Sequence, residues 1–180
     1  VRWAAAQTLA RIGVASPEWT APLAGALRSE DPYVRGFAAF TLGEIGPAAS
    51  DAVPALVEAL ERDEAYGRGG AAAALARMGA YAAAAVPALS RALASPESRV
   101  RWSAARALGH VGPLASPAVD ALTLRLQDEE AVVRLHAARA LGRIGPAARR
   151  ARPALERASR DGDRGVRREA NRALRAIMLR

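Results

Sequence analysis

The sequence predicts an all-α chain of stacked helix pairs, on three observations. Arginine recurs at residues 2, 35, 68, 101, 134 and 167, a period of 33 without insertion or deletion. Within each period apolar residues return at helical spacing. A Gly stands at 13, 46, 79, 112 and 145, where the first helix of each period would stop. A fixed period in this range marks supersecondary units that bury their apolar faces only against neighbours. The units start at Val1, Val34, Gly67, Val100, Val133 and Val166; five are complete and the sixth stops after 15 residues.

Residues 133–146, VRLHAARALGRIGP, show the first helix of a unit, with Val133, Ala137, Ala140, Leu141 and Ile144 on one face. Val34, Ala38, Thr41, Leu42 and Ile45 form the same face in the second unit. The Gly that follows suits a terminal residue of positive φ, and Pro47, Pro113 and Pro146 block continuation. In the second helix, Ser50 to Leu60, the apolar stripe is Val53, Leu56, Ala59 and Leu60, with Ser50 expected as N-cap and Pro54 in the first turn. Ser116 and Pro117 are expected to supply the cap and first helical position in the fourth unit. The tenth place of the first helix is small (Ala10, Gly43, Ala76, Gly109, Gly142), which lets a neighbouring helix pack closely.

Between units, Asp31, Glu64, Glu97, Glu130 and Asp163 each stand four residues ahead of Arg35, Arg68, Arg101, Arg134 and Arg167. A carboxylate at a helix start favours the macrodipole, and the i,i+4 spacing suits a bond to the Arg. These ten residues are expected to form a structural ladder that fixes one unit on the next. The third unit opens with Gly67, Gly69 and Gly70. Each costs about 1 kcal/mol relative to Ala inside a helix, so this joint is expected to be the softest.

Composition narrows the function classes. With 51% apolar residues but only 4% aromatic, the core is built from Ala, Leu, Val and Ile. Cysteine is absent, which excludes disulfides and thiolate chemistry; lysine is absent too, so all 26 basic residues are Arg. Residues 1–132 carry a net charge of −2 and residues 133–180 one of +10, placing the basic character in the last unit and a half. The most apolar run, 69–90, is split by Arg77 and Gly79, so no transmembrane segment is expected. No secretory signal is visible, and the expected compartment is the cytoplasm.

The VRxxAAxALGxIGP pattern, followed by AVPAL at 52–56, resembles HEAT-like repeats of the phycobilisome-lyase type over all 180 residues. Ankyrin units share the period, but no TPLH-like turn occurs. The resemblance implies a right-handed α-α superhelix, five complete helix pairs plus a final single helix, forming one domain over 1–180. It implies first helices on the convex side and second helices lining the concave side. Arg175, Asn171 and Met178 replace the small or apolar residues of earlier units, as a polar capping helix requires. Val1 to Ala6 read like an interior copy, so the chain is expected to be the C-terminal part of a longer array.

Candidate binding residues are arginines. Arg139 and Arg143 are an i,i+4 pair that Arg172 extends along the first helices, as Arg106 and His110 do one unit earlier; Arg91, Arg157 and Arg160 stand opposite the apolar stripe of the second helices. Trp3 and Trp102 fall at the third place of first helices, expected to lie away from the concave face, so aromatics and basic residues are not expected to converge. Phe37 and Phe40 face Gly69, Gly70 and Ala73 of the next unit, which reads as packing of large against small. His110 and His136 lack the His-Glu dipeptides of HEAT-like di-iron enzymes. No catalytic residues, cofactor or metal site are expected. The expected function is a non-enzymatic scaffold binding a protein or peptide along the concave face. The alternative is nucleic-acid or other polyanion binding through 133–180, and a remote third, resting on the resemblance alone, is a bilin lyase or chaperone-like factor.

Overall fold

The computed structural model describes residues 16–62 and 65–178, in which helices stack without any strand. In chain order the α-helices are α1 (Thr20–Ala26), α2 (Pro32–Ile45), α3 (Val53–Arg62), α4 (Ala65–Met78), α5 (Val86–Ala92), α6 (Ser98–Val111), α7 (Val119–Arg125), α8 (Ala131–Ile144), α9 (Arg152–Ala158) and α10 (Arg164–Met178). Even-numbered helices are the long first helices of the units and odd-numbered ones the shorter second helices. The two rows build a right-handed α-α superhelix. Its core is the seam between them, where Leu42, Leu75, Leu108 and Leu141 meet Leu56, Leu89, Leu122 and Leu155, all fully buried.

The long helices α2, α4, α6 and α8 each end at the expected Gly, and α10 runs on to Met178. Gly46, Gly79, Gly112 and Gly145 have φ between 59° and 74°, and ψ near −138° at Gly46, Gly112 and Gly145 puts them in a region open only to Gly. The next turn differs from expectation. Ser50 does not cap a helix, and Ser116 and Pro117 do not open one; all three lie in seven-residue 3-10 segments, Gly46–Ala52 and Gly112–Ala118. A Pro directly after the Gly, as in those two segments, starts a tight turn at once, and the turn inserts Ala49 or Ala115 into the core before the α-helix begins at Val53 or Val119.

The run 67–92 is long and apolar enough by composition to cross a membrane, yet it is three elements. Gly79 turns the chain between α4 and α5, and most of the run is buried inside the protein.

The Arg ladder exists with other partners than expected. Arg101 and Arg134 do not pair with Glu97 and Glu130. Arg101 makes a bidentate bond to Asp128 at 2.8 Å and 2.8 Å and a further one to Glu129 at 3.1 Å. Arg134 does the same to Asp161 at 2.8 and 3.0 Å, and Arg68 reaches Glu97 itself. Each of these Arg therefore ties its helix to the loop of the following unit. A second arm donates to two carbonyls behind it: Ser29 and Glu30 for Arg35, Ser95 and Pro96 for Arg101, Asp128 and Glu129 for Arg134, Asp161 and Gly162 for Arg167. A guanidinium has five donors in a rigid fork, so one side chain serves both duties. Asp31 and Asp163 instead cap α2 and α10 by accepting from the backbone N–H of Tyr33 and Val166. Glu64 lies outside the described residues, as do Arg2, Trp3 and Gly13.

Candidate functional site

The long helices approach to backbone contact. A Cβ built on Gly43, Gly109 or Gly142 would lie 3.2, 3.1 or 3.0 Å from the Cα of Ala74, Ala140 or Ala173 on the next long helix. The short helices touch one another far less, and clefts of about 630 Å³ and 390 Å³ open between α3 and α5 and between α7 and α9. In a curved stack the row with the closer spacing is the inner one. The long helices therefore line the concave side and the short helices the convex side, the reverse of what the resemblance implied.

This reversal redistributes the candidate residues. Arg91, Arg157 and Arg160 sit on the convex row. Arg91 is exposed and paired with Glu61, Arg157 lines the cleft between α7 and α9, and Arg160 is exposed. Arg150 bonds Asp120 at 2.7 Å and Arg125 bonds Asp128 at 3.3 Å, so the two charged residues of α7 both have partners. Arg139, Arg143 and Arg172 sit on the concave row, around a groove of about 320 Å³ between α8 and α10. Arg139 bonds Glu169 at 3.1 Å across that groove. Glu169 is buried, and the Arg139 bond, assisted by the charges of Arg139, Arg172 and Arg168, outweighs burial and holds its carboxyl below the usual range.

Aromatic and basic residues do converge, contrary to expectation. Trp102 of α6 stacks on His136 of α8 with ring centres 5.4 Å apart, and the Arg106 guanidinium lies 5.5 Å from the centre of the Trp102 ring. Burial, together with the charges of Arg139, Arg106 and Arg143, pushes His136 down to about 4. Burial and the charge of Arg77 also lower Arg106. Buried Nε of Arg106 and Nδ1 of His136 have no hydrogen-bond partner. Phe40 and Trp102, both half-buried, flank a hollow over α4 where the third unit carries Gly69, Gly70 and Ala73. Large residues thus meet small ones as expected, but without filling the space.

Acids are scarce along this row. The five long helices contain 14 Arg and only two carboxylates, Glu44 and Glu169. Glu44 is bonded to Arg77 at 2.6 Å and Glu169 to Arg139. Basic character thus segregates by face as well as by position along the chain. Reading down the repeat at its seventh and eleventh places (Phe40, Arg106, Arg139, Arg172; Glu44, Arg77, His110, Arg143) carries that signal in the sequence. Three or more His, Asp or Glu grouped as metal ligands do not occur among the described residues.

A family model of HEAT repeats matches residues 1–76, 53–130 and 119–179. No curated protein matches the sequence. Among solved structures, an engineered protein is similar at 28% identity and TM-score 0.76, covering 96% of this chain and 88% of its own. The CpcE and CpcF complex of phycocyanin lyase from Nostoc sp. PCC7120 is similar at 28% identity and TM-score 0.74, over 91% of this chain and 65% of that one. A designed armadillo repeat protein in complex with the peptide (KR)4 shares the fold at 19% identity and TM-score 0.77, over 97% and 92%.

Proposed function

Because the chain belongs to the HEAT-repeat family, a repeat scaffold by architecture, we propose that it is a non-enzymatic scaffold that holds an acidic segment of a partner protein along its concave row. The observation that carries this reading is the composition of that row: many Arg, aromatic side chains between them, and two carboxylates already committed to Arg77 and Arg139. An extended concave surface suits a long partner contacted at many points. Arg106, Arg143 and Arg172 supply positive charge to which no described carboxylate is bonded. The superhelix also holds a peptide in the designed armadillo protein, although there the peptide is basic.

One observation favours polyanions, the density of Arg around the α8/α10 groove. Nucleic acid and an acidic protein separate on salt. Nucleic-acid binding weakens log-linearly and steeply because each neutralised phosphate releases counterions. Capture of partners by the immobilised protein at two ionic strengths, with and without nuclease, tests the proposal. Partners retained through nuclease treatment and moderate salt support it, and capture of nucleic acid alone overturns it. We extend the same reading to the domain plan, in which residues 1–180 form one repeat domain.

A further inference from the structure

We propose that the hollow over α4 is an anchor pocket for one large apolar side chain of the acidic partner segment, with Arg106 receiving a neighbouring carboxylate. The inference rests on the scaffold reading above and names what that surface selects. The hollow measures about 230 Å³. Gly69, Gly70 and Ala73 form its floor, Phe40 and Trp102 its walls, and Arg77, Arg99 and Arg106 its rim.

Its origin is that the third unit alone among the described ones is small at its third, fourth and seventh places together. There the second unit carries Gly36, Phe37 and Phe40, and the later units Trp102, Ser103 and Arg106, or Leu135, His136 and Arg139, or Arg168, Glu169 and Arg172. Between α6 and α8, where Trp102 stacks on His136, only about 40 Å³ is left. The α8/α10 groove stays open at about 320 Å³ but is lined by Arg139, Arg143, Arg172 and Glu169, with Arg139 bonded to Glu169 across it, and so offers charge rather than an apolar seat. In α4 nothing of comparable size stands at these three places. The hollow is bounded by the small residues of α2 and α4, by the Phe40 and Trp102 rings and by the side chains of Arg77, Arg99 and Arg106, with Arg99 lying over Gly69. An apolar side chain covers the carbon part of that surface at a gain that water does not provide.

Charge complementarity fixes the rest of the occupant. Arg106 lies half-buried against Trp102 with its Nε unbonded and no described carboxylate in contact. Its neighbour Arg77 is already engaged by Glu44 and by the carbonyl of Gly43. A partially desolvated guanidinium gains most from a bidentate carboxylate. An Asp or Glu next to the anchoring side chain meets that requirement, whereas a phosphate backbone offers the charge without the apolar anchor.

The test uses the full chain and three dye-labelled probes followed by fluorescence anisotropy: an acidic peptide with one central Phe, the same peptide with Ala there, and a single-stranded DNA oligonucleotide of equal charge. The Phe peptide should bind about tenfold more tightly than the Ala peptide. Ala73→Arg places in the hollow the residue other units carry there and adds positive charge. It should reduce the Phe peptide to the affinity of the Ala peptide, and Gly70→Val, a second filling variant, should do the same. Arg106→Gln should weaken both peptides by about tenfold. Equal or tighter binding of the Phe peptide by both filling variants overturns the pocket while leaving the scaffold reading in place. Binding of the oligonucleotide with no binding of either peptide overturns both.

Discussion

Among single residues, Arg101 and Asp128 carry the most consequence. Their side chains are only 6% and 2% exposed, and they bond in two places. Burial would raise the Asp128 carboxyl, but the Arg101 bond, the Glu130 backbone N–H and the charges of Arg101 and Arg125 hold it below its usual range. Removing one member of such a pair leaves a buried charge alone, which costs about 3–5 kcal/mol. Asp128→Ala should lower stability in urea by that amount. Glu97→Ala, at the more exposed Arg68 joint, should move the urea midpoint far less than Asp128→Ala does. His136 gives a separate signature. Its pKa falls from an ordinary 6.5 to about 4, so the folded state prefers neutral imidazole. Well above pH 6.5 both folded and unfolded states are neutral and its contribution is complete. As pH falls towards 4 the unfolded chain binds a proton that the folded one refuses, and stability drops by up to about 1.4 kcal/mol per pH unit. Thermal melts from about pH 7.5 to about pH 4.5 should show this slope, and His136→Phe, which keeps a ring against Trp102, should remove its share and leave that of His110, which burial and the charges of Arg143, Arg106 and Arg139 also lower.

For the helices, one substitution has opposite signs in two places. A Cβ added at Gly70 in α4 would meet the Ala39 Cβ at an ordinary 3.7 Å, so Gly70→Ala should stabilise by about 0.5–1 kcal/mol through helix propensity. Gly142 in α8 lies against the Ala173 backbone, where a Cβ would come within 3.0 Å of that Cα, and Gly142→Ala should destabilise by about 1–2 kcal/mol through overpacking. Chemical denaturation measures both, and amide exchange should be faster in α4 than in α6 or α8. The elements were legible because the helical period, the Gly at each long-helix end and the small tenth residue are local signals that recur from unit to unit. The Arg ladder was only half legible. Sequence proximity favoured Glu97 for Arg101 and Glu130 for Arg134, but the fork of each Arg points across the joint, to acids 27 or 28 residues on. The cap expected at Ser50 failed because the Gly and Pro before it start a 3-10 turn, which delays the α-helix to Val53.

For the superhelix as a unit, the two faces hold the reverse of the roles that family resemblance implied. Which row lies inside a curve depends on how closely helices approach, and that distance is set by Gly43, Gly109 and Gly142 in contact with the next helix, a property no single unit reveals. The exchange moves Arg139, Arg143 and Arg172 to the inner surface and Arg91, Arg157 and Arg160 to the outer one. Replacing the first three by Ala should reduce capture of an acidic partner by at least about tenfold, since each loses a charge-assisted contact. The same change at the outer three should leave capture within about twofold. Equal losses from both triple variants would return the binding surface to both rows. The glycine contacts have a mechanical consequence as well. Because the inner helices already touch and the outer ones are separated by clefts, the coil resists being wound tighter but yields to being opened, like a spring at full compression. Thermal motion should then be one-sided, widening the arc rather than narrowing it, and a guest of the kind proposed would enter by a movement the backbone already permits.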